Sequence, residues 1–311
     1  MKRVEAAEKL FREGYNCSQA VFAAFSELYG IDRDTALKLS ASFGGGVGRM
    51  REVCGAVSGM CMIAGLETGS VKQMDDEGKK YNYEVVQRLS EEFKKLSGSI
   101  ICRELLGLED SPSKSAVPQP RTKEYYNSRP CDQLVKDAAE ILEQVLFAVT
   151  PEAVKTEEQY QEVAILAKEI WQEHYEPIIG RAQVEYMVGK YQTADAIKVQ
   201  VEQEDYEYYL IKTFGGISGY FSIHKEEEAL FLSKFYIAKR FRGRGYARQA
   251  LNYLEQLCMD NQLKKIWLTV NRNNSDSIRI YENLGFTKTR MKVSDIGDGF
   301  VMDDYVMEKV L

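Results

Sequence analysis

A chain of 311 residues, 44% of them hydrophobic, can bury one large core or two ordinary ones; domains most often hold about 100 to 200 residues, so two are expected. The formal net charge of −6 excludes a nucleic-acid binder that works by bulk charge, because neutralising phosphates needs a basic face. No apolar run reaches the roughly 18 residues of a membrane span, and the amphipathic, charged first ten residues do not read as a leader, so a cytoplasmic protein is expected.

The first half reads as helix throughout. Val4, Ala7, Leu10 and Phe11 form one apolar stripe, and Ala20, Val21, Ala24, Phe25 and Leu28 a second. Further helices are predicted near 33–42, 53–66, 80–96 and 131–148, with no strand-like alternation between them. The proline-rich stretch 108–130 is a loop inside this all-α domain, because Leu134, Val135, Ala138, Ile141 and Leu142 resume a helical stripe after it. The join between domains falls at 148–156, where Thr150-Pro151 breaks the helix and Thr156-Glu-Glu-Gln159 has the form of a capping box. Two helices follow, at 157–174 and 181–191, and then strand-like alternation through 206–213, 217–223 and 229–237. A helix at 245–259, a strand at 265–270, a helix at 275–284 and strands at 286–294 and 299–309 complete an α+β domain with a mixed, mostly antiparallel sheet. The expected domains are therefore 1–150 and 151–311.

Five of the six cysteines, Cys17, Cys54, Cys61, Cys102 and Cys131, lie in the first half. Cys17 follows Asn16, Cys54 follows the run Gly44-Gly-Gly-Val-Gly48, and Cys131 follows Pro130, so each is expected near a helix start. There the helix dipole draws a thiol toward thiolate, the form that reacts and binds metal. A cysteine in a helical bundle is equally a small buried hydrophobe, and the pattern leaves both readings open. With no Cys-x-x-Cys pair, and neither His174 nor His224 in this half, a metal would need thiolates helped by Asp or Glu. The glycine run itself, with no strand before it, is read as a turn between helices. The order Cys17, Cys54-Gly-Ala-Val-Ser-Gly59, Cys102, Cys131 resembles the C_GCAxxG_C_C family of redox-active proteins over roughly residues 1–147, with Cys preceding Gly where the family label has Gly first, and with Cys61 extra. The match names a domain and no reaction; the helix-start positions motivate the expectation of a reversible disulfide or a thiolate metal site among Cys17, Cys54, Cys102 and Cys131.

The sharpest local signal lies in Phe235-Tyr-Ile-Ala-Lys-Arg-Phe-Arg-Gly-Arg-Gly-Tyr-Ala-Arg-Gln-Ala250: a strand, a short basic glycine loop and an amphipathic helix. That order aims unpaired N–H groups of a helix start at whatever precedes it, and an anion is the expected guest. Gly243 and Gly245 let backbone approach a phosphate closely, while Arg240, Arg242, Arg244 and Arg248 add positive potential. The segment Arg242-Gly-Arg-Gly245-Tyr-Ala247 resembles the Arg/Gln-x-x-Gly-x-Gly/Ala motif of the GNAT acetyltransferases. Downstream, Asn274-Ser-Asp-Ser-Ile-Arg-Ile-Tyr281-Glu-Asn-Leu-Gly285-Phe286 is similar to that family's Asn-x-x-Ala-x-x-x-Tyr-x-x-x-Gly-Phe segment, with Ser277 in place of the usual Ala.

The resemblance implies that acetyl-CoA is the cosubstrate and that the backbone of Arg242, Gly243, Arg244, Gly245, Tyr246 and Ala247 holds its pyrophosphate. It also implies that the strand Phe235, Tyr236, Ile237 splays from the next one to take the pantetheine arm, and that Asn274 and Ser277 contact the coenzyme. Transfer to a primary amine is direct, with Tyr281 as acid to the departing thiolate; a phenol of ordinary pKa near 10 is protonated at neutral pH. For the base, Glu228 in the run Glu226-Glu-Glu228 is the leading candidate, with Glu173, His174, Asp303 and Asp304 as others; the last two alternate sides of a strand, so only one can face a given cleft. The acceptor is a small-molecule or peptide amine, and exchange of the last strand would make a homodimer. A non-catalytic acyl-CoA-binding redox or metal sensor is the alternative, which would have no need of Tyr281.

Overall fold

The computed structural model describes residues 2–108 and 115–311, so part of the expected proline-rich loop, 109–114, lies outside the described residues. The chain divides into two compact units, Met1–Ala148 and Val149–Leu311. Among the described residues no helix is long and apolar enough to cross a membrane.

The first unit is all helix: α1 Lys2–Arg12, α2 Cys17–Phe25, α3 Arg33–Ser40, α4 Gly55–Thr68, α5 Asp76–Ser97, α6 Cys102–Leu105, α7 Lys123–Asn127 and α8 Cys131–Val145. The predicted stripes are the buried ones, with Val4, Ala7, Leu10 and Phe11 inward on α1 and Leu134, Val135, Ala138 and Leu142 inward on α8. Caps set the starts. Asn16 and Gln19 form a capping box on α2, and Asp75 accepts from Gly78 N at 2.9 Å, which opens α5 earlier than periodicity indicates. Gly59 allows α4 to lie tight on α2, for a Cβ there would stand 2.8 Å from Val21 Cβ. Inside the expected loop, Thr122 caps the short α7, accepting from Tyr125 N at 3.3 Å.

The second unit is a seven-stranded sheet of β1 Thr150–Ala153, β2 Tyr206–Thr213, β3 Gly216–Lys225, β4 Ala229–Ile237, β5 Lys265–Asn271, β6 Thr287–Gly297 and β7 Phe300–Val310, in the order β1-β2-β3-β4-β5-β7-β6. Every neighbouring pair is antiparallel except β4 and β5. Two elements lie beyond the sequence reading. The segment expected only to break a helix becomes β1, where Pro151 sits on an edge strand that needs no second ladder. A third helix, α11 Ala194–Gln203, follows α9 Glu157–Ile179 and α10 Arg181–Tyr191; it buries only Ala194 and Ile197, too narrow a stripe to stand out. The remaining helices are α12 Tyr246–Asp260 and α13 Ser275–Asn283.

The main core lies between one sheet face and α12, where Ala250, Leu251, Leu254 and Cys258 pack on Phe221, Leu230, Ile266 and Met307. Each large apolar side chain removed from water there contributes about 1.5–3 kcal/mol. α9 buries Tyr160, Val163, Leu166, Ala167, Ile170 and Trp171, and its aromatic end brings Trp171 and Tyr175 against Tyr236 of β4.

Candidate active site

The parallel ladder between β4 and β5 contains only Ala229↔Lys265, Leu230↔Ile266 and Phe231↔Trp267. Past that point β5 pairs on with β7 through Asn271↔Asp304, while β4 runs on against β3 to Ile237. The strands part, and β4 presents one unladdered edge over 232–237. Ala238 N donates to Ser218 O at 2.9 Å on the β3 side, so by alternation the backbone groups of Phe235 and Ile237 face the gap and those of Tyr236 face β3. Beyond the edge, a one-turn 3-10 helix at Lys239–Phe241 leads into Gly243 (φ 79°) and Gly245 (φ 88°), both left-handed and both with open space where a Cβ would stand. Gly245 is the N-cap of α12 and among the described residues no side chain caps that end, so the first-turn N–H groups of a 15-residue helix open beside the gap.

The basic residues of this loop divide. Arg240 pairs with Glu169 at 2.6 Å and Lys239 with Glu173 at 3.2 Å, which ties the loop to α9. Arg248 donates to Asn283 O at 2.6 Å, closing the end of α13. Arg242 is exposed, and its Nε donates to Ile237 O at 3.0 Å. The positive potential at the gap therefore comes less from Arg240 and Arg248 than their number in the sequence indicates.

α13 lies on the β5 side of the gap. Asn274, 2% exposed, caps it by accepting from Ser277 N at 3.3 Å, and its Nδ2 lies 3.1 Å from His174 Nε2. Burial first, and then nearby Arg242, lower the His174 pKa, so a neutral imidazole accepts from the amide. Tyr281 is half-buried with its ring edge-on to Phe286 at 5.7 Å, and burial, then Tyr175, push its phenol well above the ordinary value.

The other wall is aromatic. Tyr175 stacks on Trp171 at 4.5 Å, and Tyr236 stands near Tyr175 and Tyr220 at 6.1 and 5.3 Å. Burial pushes Tyr175 up to about 12, opposed by hydrogen bonds to Tyr236 and Asn274. Asp304 stands level with Asn271 where β4 and β5 part, 6% exposed, with Oδ1 lacking a hydrogen-bond partner among the described residues. Its burial, eased by Thr269, pushes it up to about 6, and its charge is felt by Tyr175. Asp303, on the alternate side, pairs with Arg272 at 2.9 Å.

Glu228 is placed elsewhere. It precedes β4, is exposed, and forms an ion pair with Lys264; the nine residues of β4, roughly 30 Å at about 3.3 Å each, separate it from the loop. The run Glu226-Glu-Glu228 is the solvated turn of the β3–β4 hairpin. Trp171, Tyr175, Tyr220 and Tyr236 were hidden from a one-dimensional reading because α9, β3 and β4 contribute them from distant positions. Asp304 could be reduced to one of two alternating residues and no further.

In the first unit Cys17, Cys54, Cys102 and Cys131 all line one pocket, together with Arg51, Arg121 and Arg129. Cys17, Cys102 and Cys131 are the first residues of α2, α6 and α8, and Cys54 is the N-cap of α4. The expected lowering of three thiol pKa values by helix dipoles fails for two of them. Cys54, 4% exposed, is pushed up to about 12 because burial outweighs its backbone hydrogen bonds, and the hydrogen bond that Cys17 shares with Cys131 raises Cys17. Cys131 alone is lowered, to about 7, by Cys17 first and then, against burial, by Arg129, Arg121 and Arg51. Among the described residues no group of three or more His, Cys, Asp or Glu is arranged to hold a metal ion, so the arrangement gives a thiolate metal site no support.

Residues 166–286 match the model described as "Acetyltransferase (GNAT) family", and residues 15–145 the one described as "Putative redox-active protein (C_GCAxxG_C_C)". An uncharacterised N-acetyltransferase, YycN of Bacillus subtilis (strain 168), is 35% identical over 71 residues, 23% of this chain and 45% of that protein, so the chain spans less than half of this curated relative. Among solved structures, the PaiA N-acetyltransferase of Thermoplasma acidophilum in complex with coenzyme A is 17% identical over 53% of this chain and 99% of that one, with a TM-score of 0.43. Ard1 of Thermoplasma volcanium is 20% identical over 53% of this chain and 98% of that one, with a TM-score of 0.40. The chain thus joins a segment that matches the C_GCAxxG_C_C model to one that matches the GNAT acetyltransferase model.

Proposed function

We propose that the Val149–Leu311 unit is an acetyl-CoA-dependent N-acetyltransferase that moves the acetyl group directly to a primary amine. The observation that carries this reading is the parting of β4 from β5 after Phe231↔Trp267, beside the open Gly243–Gly245 loop and the uncapped start of α12. An extended arm with amide groups can ladder onto the free edge at Phe235 and Ile237, and a pyrophosphate can seat on first-turn N–H groups with Arg242 alongside. Binding there requires the Arg242 guanidinium to exchange the Ile237 carbonyl for the ligand.

The acceptor side suits a cation. Asp304 offers an unpartnered carboxylate oxygen in a buried position, and the aromatic wall of Trp171, Tyr175 and Tyr236 presents ring faces to an ammonium group. In this mechanism Asp304 holds the amine and takes its proton. The amine nitrogen attacks the thioester carbonyl, and collapse of the tetrahedral intermediate breaks the C–S bond. Tyr281, kept protonated by its burial, gives its proton to the departing thiolate and recovers one from solvent. Asn274 and Ser277 fix the start of α13 and so the height of Tyr281.

Calorimetric titration of the reduced protein with acetyl-CoA, beside an Arg242→Glu, Gly245→Asp variant, tests the reading. Micromolar binding that the variant loses supports it, and a screen of polyamines, amino acids and peptides by mass spectrometry of the acetylated product then identifies the acceptor. Absence of binding to the wild-type protein overturns it.

A further inference from the structure

The cysteine pocket of the first unit is as notable for its cations as for its thiols. Arg51, Arg121 and Arg129 line it, and among the described residues no Asp or Glu does. Arg49 stands close enough to Arg51 and Arg129 for their charges to depress its own pKa after burial has done so. Among the described residues the side-chain hydrogen bonds of these arginines run from Arg51 to the Cys102 sulfur, from Arg121 to the Tyr15 carbonyl and from Arg129 to the Gln119 amide oxygen, and none reaches a carboxylate. Arg51 is 6% exposed; among the described residues its Nε has no hydrogen-bond partner and its Nη1 reaches the Cys102 sulfur alone, at 3.9 Å. Arg121 Nη1 and Arg49 Nε and Nη1 are likewise buried without partners. Guanidinium groups withdrawn from water and left without a counter-charge are costly, and an anion held among them offsets that cost.

The backbone is strained to bring them there. Val47, Arg49 and Arg51 have φ of 55°, 68° and 65°, left-handed values that cost a non-glycine residue about 1 kcal/mol or more each. A Cβ at Gly46 would stand 2.7 Å from both Cys102 Cβ and Glu52 N, so this loop is pressed against the cysteine wall. Cys17 and Cys131, meanwhile, both line this pocket as the first residues of two different helices, each sulfur near enough to shift the titration of the other.

We propose that this pocket is a dithiol–disulfide exchange site for a small disulfide that carries negative charge, with Cys131 attacking, Cys17 resolving, and Arg51, Arg121 and Arg129 recognising the anionic groups. The Cys131 thiolate attacks one sulfur of the incoming R–S–S–R, forming Cys131–S–S–R and expelling R–S⁻. Cys17 loses its proton to the expelled thiolate and attacks the Cys131 sulfur, forming the Cys17–Cys131 disulfide and expelling the second R–S⁻. The two cysteines are oxidised by two electrons and the substrate is reduced to two thiol groups, one of them protonated by Cys17.

The test uses the full chain, reduced and desalted, with two aliphatic disulfides matched in size and opposite in charge: 3,3′-dithiodipropionate, a dianion, and cystamine, a dication. Rates are divided by each probe's rate with 2-mercaptoethanol to remove intrinsic reactivity. The dianion is expected to react about 10-fold or more faster than the dication. Arg129→Gln, at the partly exposed rim, is expected to shrink that ratio, and Arg51→Gln to shrink it further, both with unchanged circular dichroism. In Cys17→Ser the mixed disulfide is expected to accumulate on Cys131, read by peptide mass spectrometry. A rate ratio of one or below, a ratio insensitive to Arg129→Gln, or a first adduct on a cysteine other than Cys131 would each overturn the proposal.

Discussion

The side-chain amide of Asn274 sits between two elements of the second unit, its Oδ1 accepting from Ser277 N at 3.3 Å and its Nδ2 standing 3.1 Å from His174 Nε2. One residue thus starts α13 and anchors the aromatic end of α9. Asn274→Ala is expected to cost about 1 kcal/mol or more through the lost cap. His174 is held below its ordinary pKa by burial and then Arg242, and an amide N–H donated to its ring nitrogen favours the same neutral form, so the variant lets the pKa rise. The native state already binds fewer protons at His174 than the unfolded chain, so this contribution to stability is lost as pH falls below about 6.5. NMR titration, simple with two histidines in the chain, measures the shift; an unmoved or lowered His174 pKa would contradict the contact.

Tyr281→Phe removes one hydroxyl and leaves the ring against Phe286. Turnover is expected to fall by about 10² or more, while acetyl-CoA affinity stays within a few-fold, because general acid catalysis is lost and ground-state packing is kept. Single-turnover kinetics with calorimetry separate the two. A drop in affinity equal to the drop in rate would make Tyr281 a binding residue instead.

How much of this was legible follows from what one dimension preserves. Arg242 to Ala247 and Asn274 to Phe286 are contiguous, each a loop-and-helix start whose chemistry is local, so sequence order carried them. The gap itself is a register fact: nothing in Leu232 to Ile237 states that β5 turns away to pair with β7. The aromatic wall is assembled from Trp171 and Tyr175 on α9 and Tyr220 and Tyr236 on β3 and β4, residues that read as ordinary core aromatics until the fold gathers them. In the first unit the helix-start positions of the cysteines were readable, but the sign of the pKa shift was not. Burial of Cys54 outweighs any dipole there, and only the partners Cys17, Arg129 and Arg121 distinguish Cys131.

Asp304 carries a prediction with opposite signs for stability and activity. Its carboxyl is raised to about 6 by burial, so the native state binds more protons than the unfolded chain between about pH 4 and 6, and stability falls as pH rises through that window. Asp304→Asn removes a buried charge with an unpartnered oxygen and is expected to stabilise the protein at pH 7 by about 1–3 kcal/mol. Acetylation should suffer. In the wild type, kcat/KM for the amine is expected to fall as pH drops through about 6, and in the variant that limb disappears along with most of the rate. Denaturant melts and a pH–rate profile read the two effects, and a destabilised variant with an intact acid limb would remove Asp304 from the site.

Gly219 faces the strand that carries the free edge, paired with Ile237 at the last register position of β3 and β4. A Cβ there would stand 2.1 Å from Tyr236 O and 3.1 Å from Ile237 Cα, both backbone atoms with no freedom to swing aside. Gly219→Ala must therefore push β4 away from β3, toward the gap that Phe235 and Ile237 face. The expected result is a loss of about 2 kcal/mol or more in stability, and an acetyl-CoA affinity that falls further than it does in Gly216→Ala, whose added Cβ meets open space but whose left-handed backbone is strained in the same hairpin. Comparing the two variants by melting and calorimetry isolates the displacement of β4 from general damage to the hairpin. Equal affinities in the two would show that the position of β4 does not set cofactor binding.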